Sequence, residues 1–320
     1  MTQFDVFNGD ADGLFALHQL RLATPRAAAL VTGTKEDVQL LARVPAQSGD
    51  RATVLDISLD TNRAALQTLL ARGVEVEYFD HHFAGEIPRH ARLAAHIDPS
   101  ADICTSLIVD RHLGGRYRCW AVAAAYGDNL AAAAHRIAAA CGLDADREQR
   151  LGALGRAVNY NAYGDSIDDL IVSPATLYRI LQPYADPFDF LEGEALVRQI
   201  EAARATDLSF AWREPPLRVR SDGDVYVLPE HRWARRVRGE FANALASAAP
   251  SSAHAVLSPR RSGDYAVSVR APLARPGNAD RLCRRFGGNG RARAAGVTSL
   301  ARERLDEFIS AFYDDFKTSK

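Results

Sequence analysis

The stretch YFDHHFAG at residues 78–85 places two adjacent histidines directly after an aspartate. It continues GVEVEY, a segment whose β-branched and apolar residues predict a strand. We therefore expect Asp80, His81 and His82 just past the carboxyl end of that strand, which is the edge where ligands bind in open α/β sheets. Successive side chains need not point to the same side of the chain, so one site requires no more than two of these three residues. The rest of such a site must come from elsewhere in the chain.

The composition bounds the class of protein. The chain has 320 residues, of which 47% are apolar and 25% charged, so one large or two ordinary domains with a sizeable core are expected. No apolar run is long enough to span a bilayer, and MTQFDVFNGD at the start reads as a strand, which predicts a soluble, cytoplasmic protein without membrane contact. The four distant cysteines show no zinc or disulfide spacing and are expected to be small buried thiols.

The net charge of −1 hides a separation of sign along the chain. Residues 213–293 carry sixteen arginines and no lysine against seven acidic residues, while residues 1–212 are strongly acidic. An acidic half favours cations, and an arginine-rich half suits bidentate binding of phosphate or carboxylate. Codon usage in a GC-rich genome would also favour arginine, although it does not explain the separation of sign.

Strands and helices alternate in the first half, which predicts an α/β fold with a doubly wound parallel sheet over residues 1–185. Residues 186–212 read as a helical linker, with one long helix from PFDFLEG to LSFAW. The segment REPP then interrupts the pattern, and strands and helices resume in a smaller α/β domain over residues 213–320.

Acidic residues follow two further predicted strands. VFNGDADGL places Asp10 and Asp12 on a tight turn before a helix, where two carboxylates can reach one cation or Asp12 can cap the helix. ATVLDIS places Asp56 at the end of an apolar strand, where a lone aspartate is commonly a cap. A further acid could be Asp128 or Asp165, since each follows a Tyr-Gly pair.

Taken together, these strand ends would converge on one sheet edge with His81 and His82, although a pair of histidines after a strand can also be a solvated turn. Oxygen ligands with an imidazole suit Mn²⁺ or Mg²⁺. Several carboxylates with histidine favour a two-metal cluster, which clamps the attacking and leaving oxygens of a phosphoryl group.

The basic half contains the glycine-rich segment RFGGNGRARAAGV. Its backbone N–H groups could cradle an anion, with charge added by Arg291 and Arg293, although hairpin turns look similar. Arg270, in VSVRAP, is either a phosphate ligand from a neighbouring strand or a surface arginine.

In this order, the motifs resemble those of the DHH–DHHA1 phosphoesterase family, which includes RecJ-like exonucleases and nanoRNases. NGDADG, VLDIS, DHH and AAYGDN resemble its four N-terminal motifs, and VSVR with FGGNGRARAAG resembles its C-terminal signature. The resemblance covers nearly the whole chain. This sequence departs from the family pattern at Val6, where many members have histidine, and at Asn289 and Arg291, where glycine and histidine are usual.

The resemblance implies a role for each matching residue. It implies that Asp10 and Asp12 ligate separate manganese ions and that Asp56 bridges them. His81 and Asp128 would complete the shell of the second ion, His82 would contact the scissile phosphate, and Asp80 would orient a histidine. A distal phosphate or terminal nucleotide would be held by Arg270 and by a loop of four residues: Gly288, Asn289, Gly290 and Arg291.

We therefore predict a manganese-dependent phosphoesterase with two ions, for which Mg²⁺ is the other candidate, and a bridging hydroxide that attacks phosphorus in line. The expected substrate is a short oligonucleotide or a small nucleotide phosphodiester. The alternatives are a single-strand-specific 5′ exonuclease, a phosphatase for a nucleotide bisphosphate or polyphosphate, and a catalytically inactive nucleotide-binding protein. The prediction also allows for a homodimer.

Overall fold

The computed structural model describes residues 1–317, which form two compact units. The first unit is Met1–Glu201, and the second begins at Ala202. Each unit has its own β-sheet, so the alternation of strands and helices read from the sequence corresponds to a mixed α/β fold.

The first unit is organised around a sheet of five strands in the order β2-β1-β3-β4-β5, all parallel. The chain passes from β1 to β2 on one side of it and then to β3 on the other side. The carboxyl ends of β1 and β3 therefore border the crevice that this topology creates. The predicted doubly wound parallel sheet is confirmed. Its strands are β1 Gln3–Phe7, β2 Ala29–Thr32, β3 Arg51–Leu55, β4 Glu75–Asp80 and β5 Leu93–Ile97.

Helices α1 to α8 lie in the first unit. Close packing of α4 against α6 fixes the carboxyl end of α4, which contributes to the site. A Cβ atom at Gly155 would lie 1.9 Å from the carbonyl oxygen of Ala123, so only glycine lets α4 and α6 approach this closely. This contact positions the C-cap of α4, which is Asp128. The helices are α1 Ala11–Ala23, α2 Arg63–Ala71, α3 Thr105–His112, α4 Arg118–Gly127, α5 Ala131–Ala140, α6 Ala145–Asn161, α7 Pro174–Leu181 and α8 Pro187–Gly193.

The prediction of one long helix across residues 187–212 is wrong. The structure has two helices, α8 and α9 (Leu196–Ala211), because the chain is extended at Glu194. The Tyr184 hydroxyl donates to Oε1 of Glu194 at 2.9 Å, and the fully buried Phe190 ring packs against Trp120 and Tyr184. These contacts hold α8 in place within the first unit and separate it from α9.

The second unit contains a mixed six-stranded sheet in the order β10-β11-β9-β8-β7-β6. Helix α12 presents Phe308, Phe312 and Phe316 at intervals of four residues, so one helical face enters the core beside Val267 and Val269. The strands are β6 Arg218–Arg220, β7 Gly223–Val227, β8 Ala253–Pro259, β9 Tyr265–Arg270, β10 Asn289–Arg291 and β11 Ala294–Leu300, and the remaining helices are α10 Arg232–Ala248, α11 Ala279–Arg285 and α12 Leu305–Phe316.

Two general expectations have mixed outcomes. Within the described part of the chain, every helix is too short or too polar to cross a membrane. All four cysteines are free thiols, but only Cys104 and Cys283 are buried, while Cys119 is half-buried and Cys141 is exposed. The expectation of uniformly buried thiols therefore holds for two of the four.

Candidate metal centre

The carboxyl ends of β1, β3 and β4 gather the motif residues at one edge of the five-stranded sheet. These three strands are neighbours in the order β1-β3-β4, so the residues that follow them lie side by side. Asp10 and Asp12 follow β1, Asp56 follows β3, and His81 follows β4. The DHH stretch begins slightly earlier than predicted, because Asp80 is the last residue of β4 and not the first residue beyond it.

Asp12 is held rigidly by the amino end of α3. Its two carboxylate oxygens accept the backbone N–H groups of Thr105 and Ser106, each at 2.7 Å, and the Ser106 hydroxyl donates to the Asp12 carbonyl at 2.8 Å. Each carboxylate oxygen has a second lone pair that these bonds do not use. Asp12 therefore keeps the capacity to bind a cation while its orientation is fixed.

Asp56 occupies a strained backbone position within the site. Its φ is +59°, in the left-handed region that residues other than glycine rarely adopt. The side chain is buried, and Oδ1 accepts a hydrogen bond from the Thr105 hydroxyl at 3.1 Å. Burial raises the pKa of the Asp56 carboxyl well above its usual range, and the nearby charges of Asp12, Asp10 and Asp128 raise it further. This accumulation of buried acid favours a bound cation.

His81 and Asp128 complete the cluster. His81 Nε2 lies 3.5 Å from Oδ1 of Asp56 and 3.8 Å from Oδ2 of Asp128. Burial raises the pKa of Asp128 to about 6, against the lowering effect of Lys35. Two groups of residues bring their ligand atoms within 4.8 Å of one another, namely Asp12, His81 and Asp128, and Asp56, His81 and His82.

His82 differs from His81 in its contacts. Its Nδ1 atom lies 2.7 Å from Oδ1 of Asp80, and Oδ2 of Asp80 is 3.4 Å from the backbone N–H of Leu59. His81 therefore lies against the carboxylates of Asp56 and Asp128, while His82 is oriented by Asp80 and is the more exposed of the two.

The fourth-motif alternative is separated from this cluster. Asp165 lies in the loop after α6, where its backbone N–H donates to Oδ2 of Asp169 at 2.9 Å. Among the described residues, neither candidate metal-binding group includes Asp165, whereas one of them includes Asp128.

Lys35 is the component that the sequence motifs did not indicate. Its Nζ atom lies 2.5 Å from Oδ2 of Asp10 and 3.7 Å from Oδ1 of Asp128. Burial raises the pKa of Asp10, but the charge and hydrogen bond of Lys35 outweigh it, and the pKa is lowered overall. A cationic residue within an acidic cluster has no motif spacing by which it could have been recognised.

Comparison of folds supports the resemblance. An exonuclease RecJ bound to manganese superposes with a TM-score of 0.63 and 16% identity, over 97% of this chain and 88% of the other. RecJ from Thermus thermophilus in complex with Mn²⁺ gives a TM-score of 0.64 and 17% identity, over 97% of this chain and 51% of that longer one. The chain has the RecJ-like fold. A pGpG-specific phosphodiesterase, PggH from Vibrio cholerae, shares this RecJ-like fold, with a TM-score of 0.56 and 15% identity over 99% of both chains.

The resemblance to DHH–DHHA1 proteins is thus confirmed at the level of the fold. No family model matches the sequence, and no curated protein matches it.

The predicted phosphate-binding residues of the RecJ-like chain lie in the second unit, in two different settings. Arg270 ends β9, and its guanidinium donates to Oδ1 of Asn243 at 2.6 Å and to the carbonyl of Gly239 at 3.1 Å. These bonds tie β9 to α10. Arg291 is exposed on the edge strand β10.

The glycine-rich segment is a hairpin rather than an open loop. Asn289, Gly290 and Arg291 form β10, which pairs with β11 in antiparallel fashion. A Cβ atom on Gly288 would lie 2.1 Å from the carbonyl oxygen of Gly296, so close backbone packing explains that glycine. Of the two interpretations left open by the sequence, the hairpin is the one observed.

Proposed function

We propose that the chain is a manganese-dependent phosphoesterase that hydrolyses short oligonucleotides or small nucleotide phosphodiesters. The observation that carries this proposal is the convergence of Asp12, Asp56, His81 and Asp128 from separate elements onto one sheet edge. Buried carboxylates at such short separations repel one another unless a cation lies between them. The RecJ-like fold provides independent support, because the manganese-bound RecJ structures share it.

The donor atoms fit a manganese ion. Ligands of one small divalent ion, at bond lengths of about 2.1 Å, lie no more than about 4.2 Å apart. The distances from His81 Nε2 to Asp56 Oδ1 and to Asp128 Oδ2, 3.5 and 3.8 Å, fall within that limit. Three carboxylates with one imidazole suit Mn²⁺ or Mg²⁺, whereas a zinc site of the thiolate type would need cysteine ligands.

Each part of the site has a distinct task in this proposal. A bound divalent ion would neutralise phosphate charge and supply a nucleophilic water at neutral pH. Asp80 engages Nδ1 of His82 and so leaves Nε2 available to donate a proton to a phosphoryl or leaving oxygen. Asp80 is a positioning residue, whereas His82 would touch the substrate.

The similarity to PggH supports a small substrate. This chain aligns with 99% of the length of PggH, whose described specificity is for pGpG. The higher TM-scores of the two RecJ structures favour a second candidate, a single-strand-specific 5′ exonuclease.

The test is a substrate panel with matched variants. Metal-stripped protein is incubated with Mn²⁺ and linear dinucleotides, longer RNA, single-stranded DNA, a nucleotide bisphosphate and polyphosphate. Fastest turnover on the shortest phosphodiesters is expected, and degradation of long single strands in preference to dinucleotides would favour the exonuclease. Absence of manganese-dependent hydrolysis throughout the panel would contradict the proposal and favour an inactive nucleotide-binding protein.

Asp128→Ala and Asp165→Ala form a matched pair for that assay, since each removes one carboxylate after a Tyr-Gly pair. Asp128→Ala is expected to abolish hydrolysis, whereas Asp165→Ala should weaken it only modestly because that residue lies outside the cluster. The reverse pattern would assign the fourth motif to Asp165.

A further inference from the structure

The Lys35 ammonium is surrounded by oxygens in the manner of a small cation. Its Nζ atom contacts Oδ2 of Asp10 at 2.5 Å and Oδ1 of Asn159 at 3.0 Å, and it lies 3.7 Å from Oδ1 of Asp128. These three oxygens come from the turn after β1, from α6 and from the C-cap of α4. Such an arrangement of acidic and amide oxygens around one positive centre is also what a divalent ion would require.

The backbone holds Lys35 in this position. Its N–H donates to the carbonyl of Ala162 at 2.8 Å, and Nδ2 of Asn8 lies 3.5 Å from its carbonyl oxygen. Only a quarter of the side-chain surface is exposed. The lysine is therefore built into the site from both its main chain and its side chain.

Both carboxylate oxygens of Asp10 already have hydrogen-bond partners in this arrangement. Its Oδ1 accepts the backbone N–H groups of Asp12 and Gly13 at 3.0 and 3.1 Å, and its Oδ2 meets Lys35. Across residues 1–317, neither candidate metal-binding group contains Asp10. Val6, where the family pattern commonly has histidine, is fully buried in an apolar core and offers no ligand.

The two candidate groups cannot each bind an ion of their own through the same nitrogen of His81. They share His81, and its Nε2 atom faces Asp56 of one group and Asp128 of the other. An imidazole nitrogen has a single lone pair and can bind only one ion.

Lysine is rare in this chain, so its presence at position 35 stands out. The chain has 39 basic residues, of which only three are lysines, and the other two are Lys317 and Lys320 at the end of the sequence. An ammonium is a compact point charge with three rotatable donors, whereas a guanidinium is a planar fork. A position between oxygens of three separate elements suits the former.

We propose that the Lys35 ammonium takes the place of one of the two metal ions implied by the resemblance, so that the site binds a single divalent ion through Asp12, Asp56, His81 and Asp128. The inference rests on the proposed function, because it assumes that this cluster binds manganese. It replaces the expectation that Asp10 and Asp12 ligate separate ions, and it leaves Asp10 as the partner of Lys35.

The test counts bound ions without measuring turnover. Metal-stripped protein is titrated with MnCl₂, free Mn²⁺ is followed by electron paramagnetic resonance, and bound metal is measured after desalting. The wild-type chain is expected to bind one Mn²⁺ with the spectrum of an isolated ion. Lys35→Met, which keeps an unbranched side chain one atom shorter and removes its charge, is expected to bind two ions with a spin-coupled spectrum. Lys317→Met, on an exposed residue, should remain at one.

The outcomes separate this inference from the proposed function. Two coupled ions in the wild-type chain would overturn the role of Lys35 and leave the phosphoesterase proposal standing. No bound manganese would overturn both. A single ion in a folded Lys35→Met protein would show that the ammonium does not replace a metal. If that variant fails to fold, the wild-type stoichiometry and spectrum still decide between one ion and two.

Discussion

The Nδ1 atom of His82 lies 2.7 Å from Oδ1 of Asp80, and the two side chains differ sharply in exposure. Asp80 has no exposed surface, whereas 44% of the His82 side chain is open to solvent. Partial burial lowers the pKa of His82, but the hydrogen bond and charge of Asp80 outweigh it, so the pKa is raised overall. A buried carboxylate thus fixes both the orientation and the protonation of an exposed imidazole.

Asp80→Asn is expected to lower the pKa of His82, because the hydrogen bond and the charge that outweigh burial are then lost, and only the smaller effects of Asp12 and Asp128 still oppose it. Nuclear magnetic resonance of the imidazole Cε1–H in metal-free protein measures this shift directly. Turnover should fall about 10- to 100-fold, a range typical for residues that orient a site group, while bound manganese stays unchanged. An unaltered His82 titration would show that Asp80 does not control it.

Asp56→Asn is expected to stabilise the metal-free protein and to remove its response to manganese. The folded-state pKa of Asp56 is raised well above its ordinary value of 3.8, so ionisation increasingly favours the unfolded chain as the pH rises from that value toward the folded-state pKa. Asparagine mimics the neutral carboxyl, and it tolerates the left-handed backbone at this position. The metal-free variant should therefore be the more stable protein at pH 7.

Manganese should reverse that order. A ligand at 100 times its dissociation constant stabilises the folded state by about 2.7 kcal/mol, and the wild-type chain should gain an amount of this size while Asp56→Asn gains little. Unfolding by urea in chelator and in excess Mn²⁺ measures both effects. Equal stabilisation of the two proteins by Mn²⁺ would remove Asp56 from the ligand set.

The parts of this site that the sequence predicts are those fixed by sheet topology. Asp10, Asp56 and His81 each follow a strand, and parallel neighbouring strands end at the same edge, so their approach follows from the β-α-β pattern. The same pattern does not reveal which side chain faces a ligand. Asp80, for example, also ends a strand, but its carboxylate is fully buried and contacts His82 and the backbone of Leu59.

Contacts between distant segments account for what the sequence does not reveal. Lys35 follows β2 and is anchored by Ala162, which is 127 positions away in the chain, so no local spacing links them. Similarly, VSVRAP predicts a strand ending in an arginine, but the engagement of Arg270 with α10 depends on how that helix packs on the sheet. The pairing of β11, the second strand of the glycine-rich hairpin, with β9 is also tertiary.

His18 is expected to make the protein less stable in mild acid. Its Nε2 atom lies 2.8 Å from the Tyr184 carbonyl, and the ring packs edge-on against Trp120. Burial lowers the pKa of His18 to about 4. Because the unfolded chain binds a proton near pH 6.5 and the folded chain does not, stability is present above that value and is lost as the pH falls toward 4.

At about 1.4 kcal/mol per unit of pKa difference, the His18 contribution to the loss between pH 7 and pH 5 is about 2 kcal/mol. His18→Gln keeps an amide donor for the Tyr184 carbonyl but does not titrate, so its unfolding free energy should fall less over this interval. His90→Gln, on an exposed histidine, is the control and should follow the wild-type curve. Identical pH dependence in all three proteins would contradict the assignment.

Arg270 is expected to contribute to stability and Arg291 to substrate binding. Arg291 is exposed on the edge strand β10, so Arg291→Ala should leave the unfolding free energy unchanged, whereas Arg270→Ala should lower it by removing the bonds to Asn243 and Gly239. If Arg291 holds a phosphate remote from the metal, it supplies binding energy of roughly 1.5–3 kcal/mol. Catalytic efficiency on a nucleotide substrate should then fall about tenfold to a hundredfold, at about 1.4 kcal/mol per decade.

The choice of substrate separates binding by Arg291 from participation in the reaction. Bis(p-nitrophenyl) phosphate has no distal phosphate, so Arg291→Ala should hydrolyse it at nearly the wild-type rate, with unchanged manganese content. The loss on the nucleotide substrate should shrink at high salt, because part of the attraction is long-range and is screened. If Arg291→Ala reduced turnover of both substrates equally, Arg291 would act at the reacting phosphate rather than as a remote anchor.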